Sequence, residues 1–408
     1  MLNAQILEPP VGWNKVTLEQ VAEFLDSRRI PIKEQDREKM HGPYPYYGAS
    51  GIIDFVNDYI FDEDIILLAE DGANILNRAT PIAFRVSGKS WVNNHAHVMR
   101  PRENTDIEFL TQYLDSIRYD AYNTGSAQPK LNREVCGLIP VLAPPYSEQR
   151  KIAAILRTWD EALEKLNALR ALNIRRRIWL RTHLFTGKAR LHGFTGEWRK
   201  VLLSDVLHEH GSKSTGTEEV YSVSVHKGLV NQVEHLGRSF SAASTDHYNR
   251  VLPGDIVYTK SPTGDFPLGI IKQSKIDREV IVSPLYGVYT PQSYALGVIL
   301  DALFESPLAA RNYLHPLVQK GAKNTIAVTN KQFLEGKLHL PMDPDEQAAI
   351  ADVVNASHAE LACLDAEIKA LTDQKRGLMQ KLLTGEWRVE VDTVEIPTNT
   401  KEAEHAGQ

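Results

Sequence analysis

"GSAQPKLNREVCGLIPVLAPPYSEQRKIAAIL", residues 125–156, has a second version further along the chain, "GAKNTIAVTNKQFLEGKLHLPMDPDEQAAIADVV", residues 321–354. Each opens on a glycine-bearing polar loop, passes an Asn, reaches a Pro-rich stop and launches a helix with Glu-Gln. The correspondence extends in both directions. "GWNKVTLEQV" (12–21) resembles "EWRKVLLSDV" (197–206), and "FTGK" (185–188) resembles "LTGE" (383–386). From Glu148-Gln149 and Glu346-Gln347 onward the offset is constant, whereas in the earlier parts it drifts. A variable block and a similar block therefore occur twice, the pattern of an internal duplication.

The similar blocks carry helical heptads. With Ile152 at a d position, the first seam holds Ile152, Leu156, Trp159, Leu163 and Leu166, then Arg170, Asn173 and Arg177, then Leu180 and Leu184. In the same register the second holds Ile350, Val354, Ser357, Leu361, Leu364, Ile368, Leu371, Lys375, Leu378 and Leu382. Apolar spacing of three and four sustained over this length predicts a coiled-coil seam. The expected helices, 148–186 and 346–384, begin near a Pro and an acid and end at Thr-Gly. At 1.5 Å per residue each is a rod of roughly 50 Å. Apolar seams need a cover, so the two helices are expected to pack antiparallel. Simple alignment sets Trp159 near Lys375 and Arg177 near Ser357. Polar residues in the seam cost stability and either fix register and partner choice or face a third helix or solvent. "RALNIRRRIWLRTHLFTGKAR" (170–190) is locally basic, fitting a solvated helix face or a nearby phosphate backbone.

The variable blocks read as mixed α+β. In the first, "DYIFDEDIILLAED", "TPIAFRV" and "WVNNHAHVM" have the β-branched and aromatic content of strands, and "DIEFLTQYLDSIRYDAY" has helical spacing. In the second, "VLPGDIVYTK", "LGIIK" and "VIVSPLYGVYT" predict strands and "ALGVILDALFESPLAARNYL" a helical segment. The expected division is 1–145, first globular domain; 146–196, central helical spacer; 197–342, second globular domain; 343–389, C-terminal helical spacer; 390–408, disordered tail. "TGEWR" occurs at 195–199 and again at 384–388. The second copy is expected to run beside the first domain, next to Trp13, as though the repeat closed on itself.

Composition sets the class. The chain has 408 residues, 42% of them hydrophobic and 24% charged, enough for two or three packed cores. No run approaches a membrane span, and the start lacks the pattern of a signal peptide. Cys136 and Cys363 have neither metal nor disulfide spacing, which suits a reducing cytoplasm. A net charge of −6 argues against a uniformly basic coat but leaves room for a local basic surface.

No catalytic set emerges. "RVSGKS" (85–90) ends like a phosphate loop, but Ala83 stands where that motif needs Gly, and a strand pattern follows. "APPY" (143–146) resembles the Asn-Pro-Pro-Tyr signature of amino-group DNA methyltransferases, but Ala143 has no amide for the target amino group. His95 and His97 fall on one face of an expected strand, where packing or hydrogen bonding is a better account than a metal with no third ligand. Asp62 and Asp64 have the look of surface turn residues.

"YPYYGASGIIDFVNDYIFDEDIILLAEDG" (44–72), "WVNNHAHV" (91–98), the Glu-Gln…Ile-Ala helix starts and the "LLTG" helix end together resemble the DNA-specificity subunit of type I restriction–modification systems, over nearly the whole chain. The resemblance implies an α+β fold with two target-recognition domains separated by two long antiparallel coiled-coil helices, related by an internal pseudo-two-fold. Each domain is then expected to read one half of a split, asymmetric site in double-stranded DNA. The helices set the gap and dock two methyltransferase subunits, and motor–nuclease subunits join them. The subunit itself has no catalysis and no cofactor. S-adenosylmethionine, ATP and magnesium belong to the partners, and no membrane is involved. The competing expectation is a helical scaffold with no DNA role.

Base reading uses Arg or Lys on guanine and Asn or Gln on adenine. The polar loops "NTGSAQPK" and "QKGAKNT" nominate Ser126, Gln128, Lys130, Lys320, Lys323 and Asn324. "GPYPYYGAS" adds Tyr44, Tyr46 and Tyr47 as groups that pack on sugar–phosphate, and "KSPTGDF" adds Lys260 and Ser261. Surface turns with no DNA contact are the plainer account of each.

Overall fold

The strand Ile65–Ala69 is buried at every position. Side chains alternate along a strand, so Ile66 and Leu68 enter one hydrophobic core while Ile65 and Leu67 enter another on the opposite face. A strand covered on both sides reads as a continuous apolar run, which is how "IILLA" looks in the sequence. In this computed structural model, which describes residues 1–2, 8–236, 244–320 and 326–391, it is an inner strand of a four-stranded antiparallel sheet. The order is Ala22–Phe24, Ala96–Pro101, Ile65–Ala69, Ala83–Val86. A second sheet orders Gly51–Val56, His41–Gly48, Lys89–Val92 and Phe61–Asp62. The helix Ile107–Ser116 starts on Asp106, whose side chain accepts the Phe109 N–H at 2.9 Å, and buries Phe109, Leu110, Tyr113 and Leu114.

The second variable block repeats the first sheet. Leu207–His208, Gly287–Pro291, Ile256–Tyr258 and Ile271–Gln273 pair in that order. The helix Tyr294–Phe304 starts on Ser293, which accepts the Leu296 N–H at 3.0 Å. The expected single helical segment is two helices, because Ser306 caps a new start and Pro307 occupies its first turn; the second runs Pro307–Leu314. "WVNNHAHVM" is likewise two strands, Lys89–Val92 and Ala96–Pro101, parted by a turn in which Asn93 Oδ1 accepts the His95 N–H at 2.8 Å. His95 and His97 consequently do not share one strand face, contrary to the sequence expectation.

The two long helices are Tyr146–Leu184 and Pro344–Leu383. The chain forms two compact units, one of Met1–Leu166 with the chain from Glu367 onward, the other of Asn167–Ala366, so the boundary falls inside both helices. In the first unit Ile152, Ala153 and Leu156 share a core with Leu382 and Leu383. Beyond them Asp160 takes the Lys375 ammonium at 2.5 Å, next to the expected Trp159, and Gln112 hydrogen-bonds both partners. In the second unit Leu184, Phe185 and Ile350 share a core. There Arg170 pairs with Asp365 and Arg176 with Glu360, so the helix segments run in opposite directions.

The polar seam residues separate by fate. Asn173 is buried, and its amide donates to the Leu169 carbonyl at 3.3 Å. Arg177 turns toward Glu305, just past the helix Tyr294–Phe304, with two hydrogen bonds of 2.6 and 2.5 Å, and with Ser357 lines one small cavity. Glu305 is also near His358, at 3.4 Å, and Lys272, at 4.0 Å. Burial alone would raise its carboxyl, but His358, Arg177 and Lys272 outweigh burial and hold it at about 2. No helix among the described residues is long and apolar enough to cross a membrane.

Candidate nucleic-acid interface

The Glu-Gln pair at each helix start fastens the helix to the globule it leaves. Trp13 Nε1–H donates to Glu148 at 3.0 Å, and Trp198 Nε1–H donates to Glu346 at 3.2 Å. Gln149 donates to the Pro144 carbonyl and accepts the N–H of Asp106, at 2.9 and 2.8 Å. Gln347 donates to the Pro341 carbonyl and accepts the Ser293 hydroxyl, both at 2.9 Å. Each Gln thus ties the long helix to the capping residue of a helix in its own globule. An arginine completes each clasp. Arg388 donates to both Glu148 oxygens at 2.7 and 2.9 Å, and Arg190 to both Glu346 oxygens at 2.6 and 2.8 Å.

Arg388 lies where the sequence expects the second "TGEWR", against Trp13, and its Nη1 donates to the Val11 carbonyl at 2.8 Å. Its counterpart in the second unit comes from "TGKAR" (186–190), however, and not from the identical "TGEWR" at 195–199. The reason is the turn: Gly187 and Gly385 have φ of 68° and 71°, a left-handed helix exit that swings the following Arg back onto the Glu. Arg199 instead opens the strand Arg199–Leu202.

The first candidate loop, 123–130, is pinned at its base and bare at its tip. Asn123 Oδ1 accepts the N–H of Gly125 at 3.0 Å and of Lys130 at 2.9 Å. A β-carbon on Gly125 would stand 1.9 Å from the Gln128 carbonyl oxygen, so the turn requires glycine. Ser126, Ala127 and Gln128 are exposed. Lys130 is exposed too, but its ammonium lies 3.3 Å from Glu70 Oε1, which neutralises it in part. Asn123 and Glu70 are not among the residues the sequence nominates; Asn-x-Gly, an Asn able to hook its own backbone, is the signal that marks the first of them.

Beneath this loop His97 is 1% exposed. Its Nδ1 lies 2.6 Å from Asp26 and its Nε2 lies 2.8 Å from the Leu131 carbonyl. Burial opposes charge on the ring, but the Asp26 hydrogen bond, with Cys136 beside it, raises His97 to about 10. Burial also pushes the Asp26 carboxyl up, and His97, the Val98 N–H and Arg29 together outweigh it and keep it below the ordinary value. His95 is exposed and pairs with Asp71 at 2.8 Å. Both nitrogens of His97 are thereby occupied, and no group of three or more metal-ligating side chains occurs among the described residues.

The tyrosines divide. Tyr46 is 1% exposed; its hydroxyl accepts the Ile32 N–H at 2.9 Å, so it belongs to the interior and offers no surface to sugar–phosphate. Tyr47 is half-buried against Phe84, ring centroids 6.0 Å apart, and burial raises its hydroxyl pKa. Tyr44 remains at the surface edge, against Tyr59, with the Lys89 ammonium 4.5 Å from the Tyr59 ring centroid. Strand alternation explains why Tyr46 points inward.

In the second unit Lys260 has a left-handed backbone, φ 61°, unusual for a residue with a β-carbon, and burial lowers its pKa. Ser261 beside it is exposed. Lys320 lies in the short strand Gln319–Lys320, while Lys323 and Asn324 lie outside the described residues. The structure therefore gathers Ser126, Gln128 and Lys130 into one loop and leaves Lys260 and Ser261 on another.

Comparison with known proteins gives the following likenesses. Residues 10–173 match the family model for the type I restriction modification DNA specificity domain. A putative type I restriction enzyme specificity subunit of Haemophilus influenzae is 36% identical over 146 residues, 36% of this chain and 36% of that one, so the match spans about a third of that relative. The type I restriction enzyme MjaVIII specificity subunit of Methanocaldococcus jannaschii is 22% identical over 94% of this chain and 95% of its own. Among solved structures, the S subunit of a type I restriction–modification system from M. genitalium has a TM-score of 0.61 at 14% identity, over 93% of this chain and 99% of that one, a likeness of fold. Through that family model and a 22%-identical relative along most of its length, the chain is similar to type I restriction–modification DNA-specificity subunits.

Proposed function

We propose that this chain is the sequence-reading, non-catalytic subunit of a type I restriction–modification complex. Residues 1–145 and 197–342 act as target-recognition domains, each reading one half of a bipartite, asymmetric DNA site. The helical segments 146–196 and 343–389 form an antiparallel coiled-coil spacer with pseudo-two-fold symmetry, which sets the gap and docks two methyltransferase subunits. Of the tail 390–408, residues 392–408 lie outside the described part. The partners bring S-adenosylmethionine, ATP and magnesium, motor–nuclease subunits complete the complex, and the assembly works in the cytoplasm.

The observation that carries this reading is the duplicated module. One sheet order and one Trp–Glu–Arg clasp occur in both units, yet the exposed loops differ in sequence. A dimeric reader takes its symmetry from two chains and meets a palindrome; duplication inside one chain lets the readers diverge. Among the candidates, Ser126, Gln128, Lys130, Tyr44, Lys260 and Ser261 are the described residues kept as DNA contacts, with Lys320, Lys323 and Asn324 for the second loop.

The test is to map methylated adenines in cells with and without this gene, and after exchanging residues 12–145 for those of a related subunit. The expected result is a split methylated motif that disappears with the gene and changes in one half on exchange. A motif that survives deletion, or one rewritten in both halves, overturns the proposal.

A further inference from the structure

Leu131, the first residue after the exposed loop of the first unit, is held at both backbone polar groups. Its N–H donates to the Glu70 carbonyl at 2.7 Å. Its carbonyl accepts from Nε2 of His97 at 2.8 Å. A carbonyl can only accept, and so can the ionised Asp26 on the other ring nitrogen, so hydrogen-bond logic assigns a proton to both nitrogens. Asp26 is itself fixed, its second oxygen taking the Val98 N–H at 2.8 Å. One residue before Leu131, Lys130 meets Glu70, whose other oxygen accepts from Arg29 at 2.6 Å. Arg29 also donates to the Ala96 carbonyl at 2.8 Å, on the strand that carries His97. A closed set of charged hydrogen bonds therefore runs from the sheet to the exit of the loop, while Asn123 holds its entrance.

We propose that His97, oriented by Asp26, is a positioning residue for DNA reading: it fixes the exit of loop 123–130 so that Gln128 meets its base in one register, and so sets discrimination at the first half-site without touching DNA. This rests on the function proposed above and deepens it. A bidentate contact to a base edge needs both partner atoms placed together, and a loop free to shift at one foot loses that alignment before it loses phosphate contacts. The second unit is wired differently: His210 Nδ1 accepts the Ser212 N–H at 3.0 Å, leaving Nε2–H to donate to Asp255 at 3.0 Å. The effect is accordingly confined to one half-site.

The test uses His97→Gln in two measurements. In the complex with its methyltransferase partner, methylation is compared on the cognate site and on sites with single changes in either half. Discrimination in the first half should fall by about tenfold, the scale of one bidentate contact, with the second half unchanged. In the free chain, amide exchange over 124–131 should quicken by about tenfold or more. Equal loss at both halves, or unchanged exchange over the loop, overturns the inference. Should His97→Gln yield no folded chain, Glu70→Gln, in the same set, decides between the outcomes by the same half-specific criterion. The exchange measurement involves no DNA, so it judges loop positioning separately. A wild-type chain that directs no split methylation pattern would instead sink the function itself.

Discussion

Arg388 closes on Glu148 with two charge-assisted hydrogen bonds, joining residues 240 positions apart onto the indole of Trp13. The Glu148 side chain is only 4% exposed, so among the described residues its charge would keep the indole N–H alone without the guanidinium.

Arg388→Ala should therefore destabilise the first unit by about 1–3 kcal/mol, the range for leaving a buried polar group short of a partner; Arg388 is half exposed, which keeps the effect below that of a fully buried pair. Arg190→Ala should do the same to the second unit. Amide exchange followed separately in Met1–Leu166 and Asn167–Ala366 checks this, and an Arg388→Ala effect in the second unit alone would contradict it.

Glu305 gathers Arg177, Lys272 and His358. Its pKa is lowered from 4.5 to about 2, so its stabilising contribution is complete above pH 4.5 and lost as pH falls through 2. Glu305→Gln should cost the second unit about 1–3 kcal/mol at neutral pH, since Arg177 loses its carboxylate partner while Lys272 keeps Asp301, and should flatten the acid limb of its stability curve. Chemical denaturation between neutral and acid pH reads both.

His97 has the opposite sign. Its pKa rises from 6.5 to about 10 on folding, so its contribution is full below pH 6.5 and disappears as pH climbs through 10. Stability of the first unit should decline over that alkaline range, and His97→Gln should remove the decline. Thermal melts at several alkaline pH values decide it.

At the loop, Gln128→Ala should relax preference at one base by about 1–3 kcal/mol if the amide makes a bidentate contact. Lys130→Ala should make the salt dependence of DNA binding shallower by less than a full phosphate contact, because Glu70 balances that ammonium in part. Titrations at several salt concentrations with matched and substituted sites separate the two.

The duplication, the two helices and a strand within "DYIFDEDIILLAED" were legible in the sequence, because each rests on a local pattern. Heptad spacing puts Ile152 and Leu156 on one stripe whatever they pack against. Cover on both faces of Ile65–Ala69 is what the structure adds to that apolar run. Partner choice is different in kind, since it depends on which distant groups the folded chain brings within hydrogen-bond reach. Two identical "TGEWR" copies carry no mark to say that Arg388 finds a Glu-Gln glutamate while Arg199 enters a strand; the left-handed glycine turn decided that. His95 and His97 look alike two positions apart, yet the turn at Asn93 leaves one in solvent and seals the other against Asp26. Tyr46 reads as a surface aromatic until strand alternation turns it inward onto Ile32. The sequence determined what repeats and where the apolar faces lie; only the tertiary structure decided which charges are buried together, because desolvation and pairing exist only once the chain has closed around them.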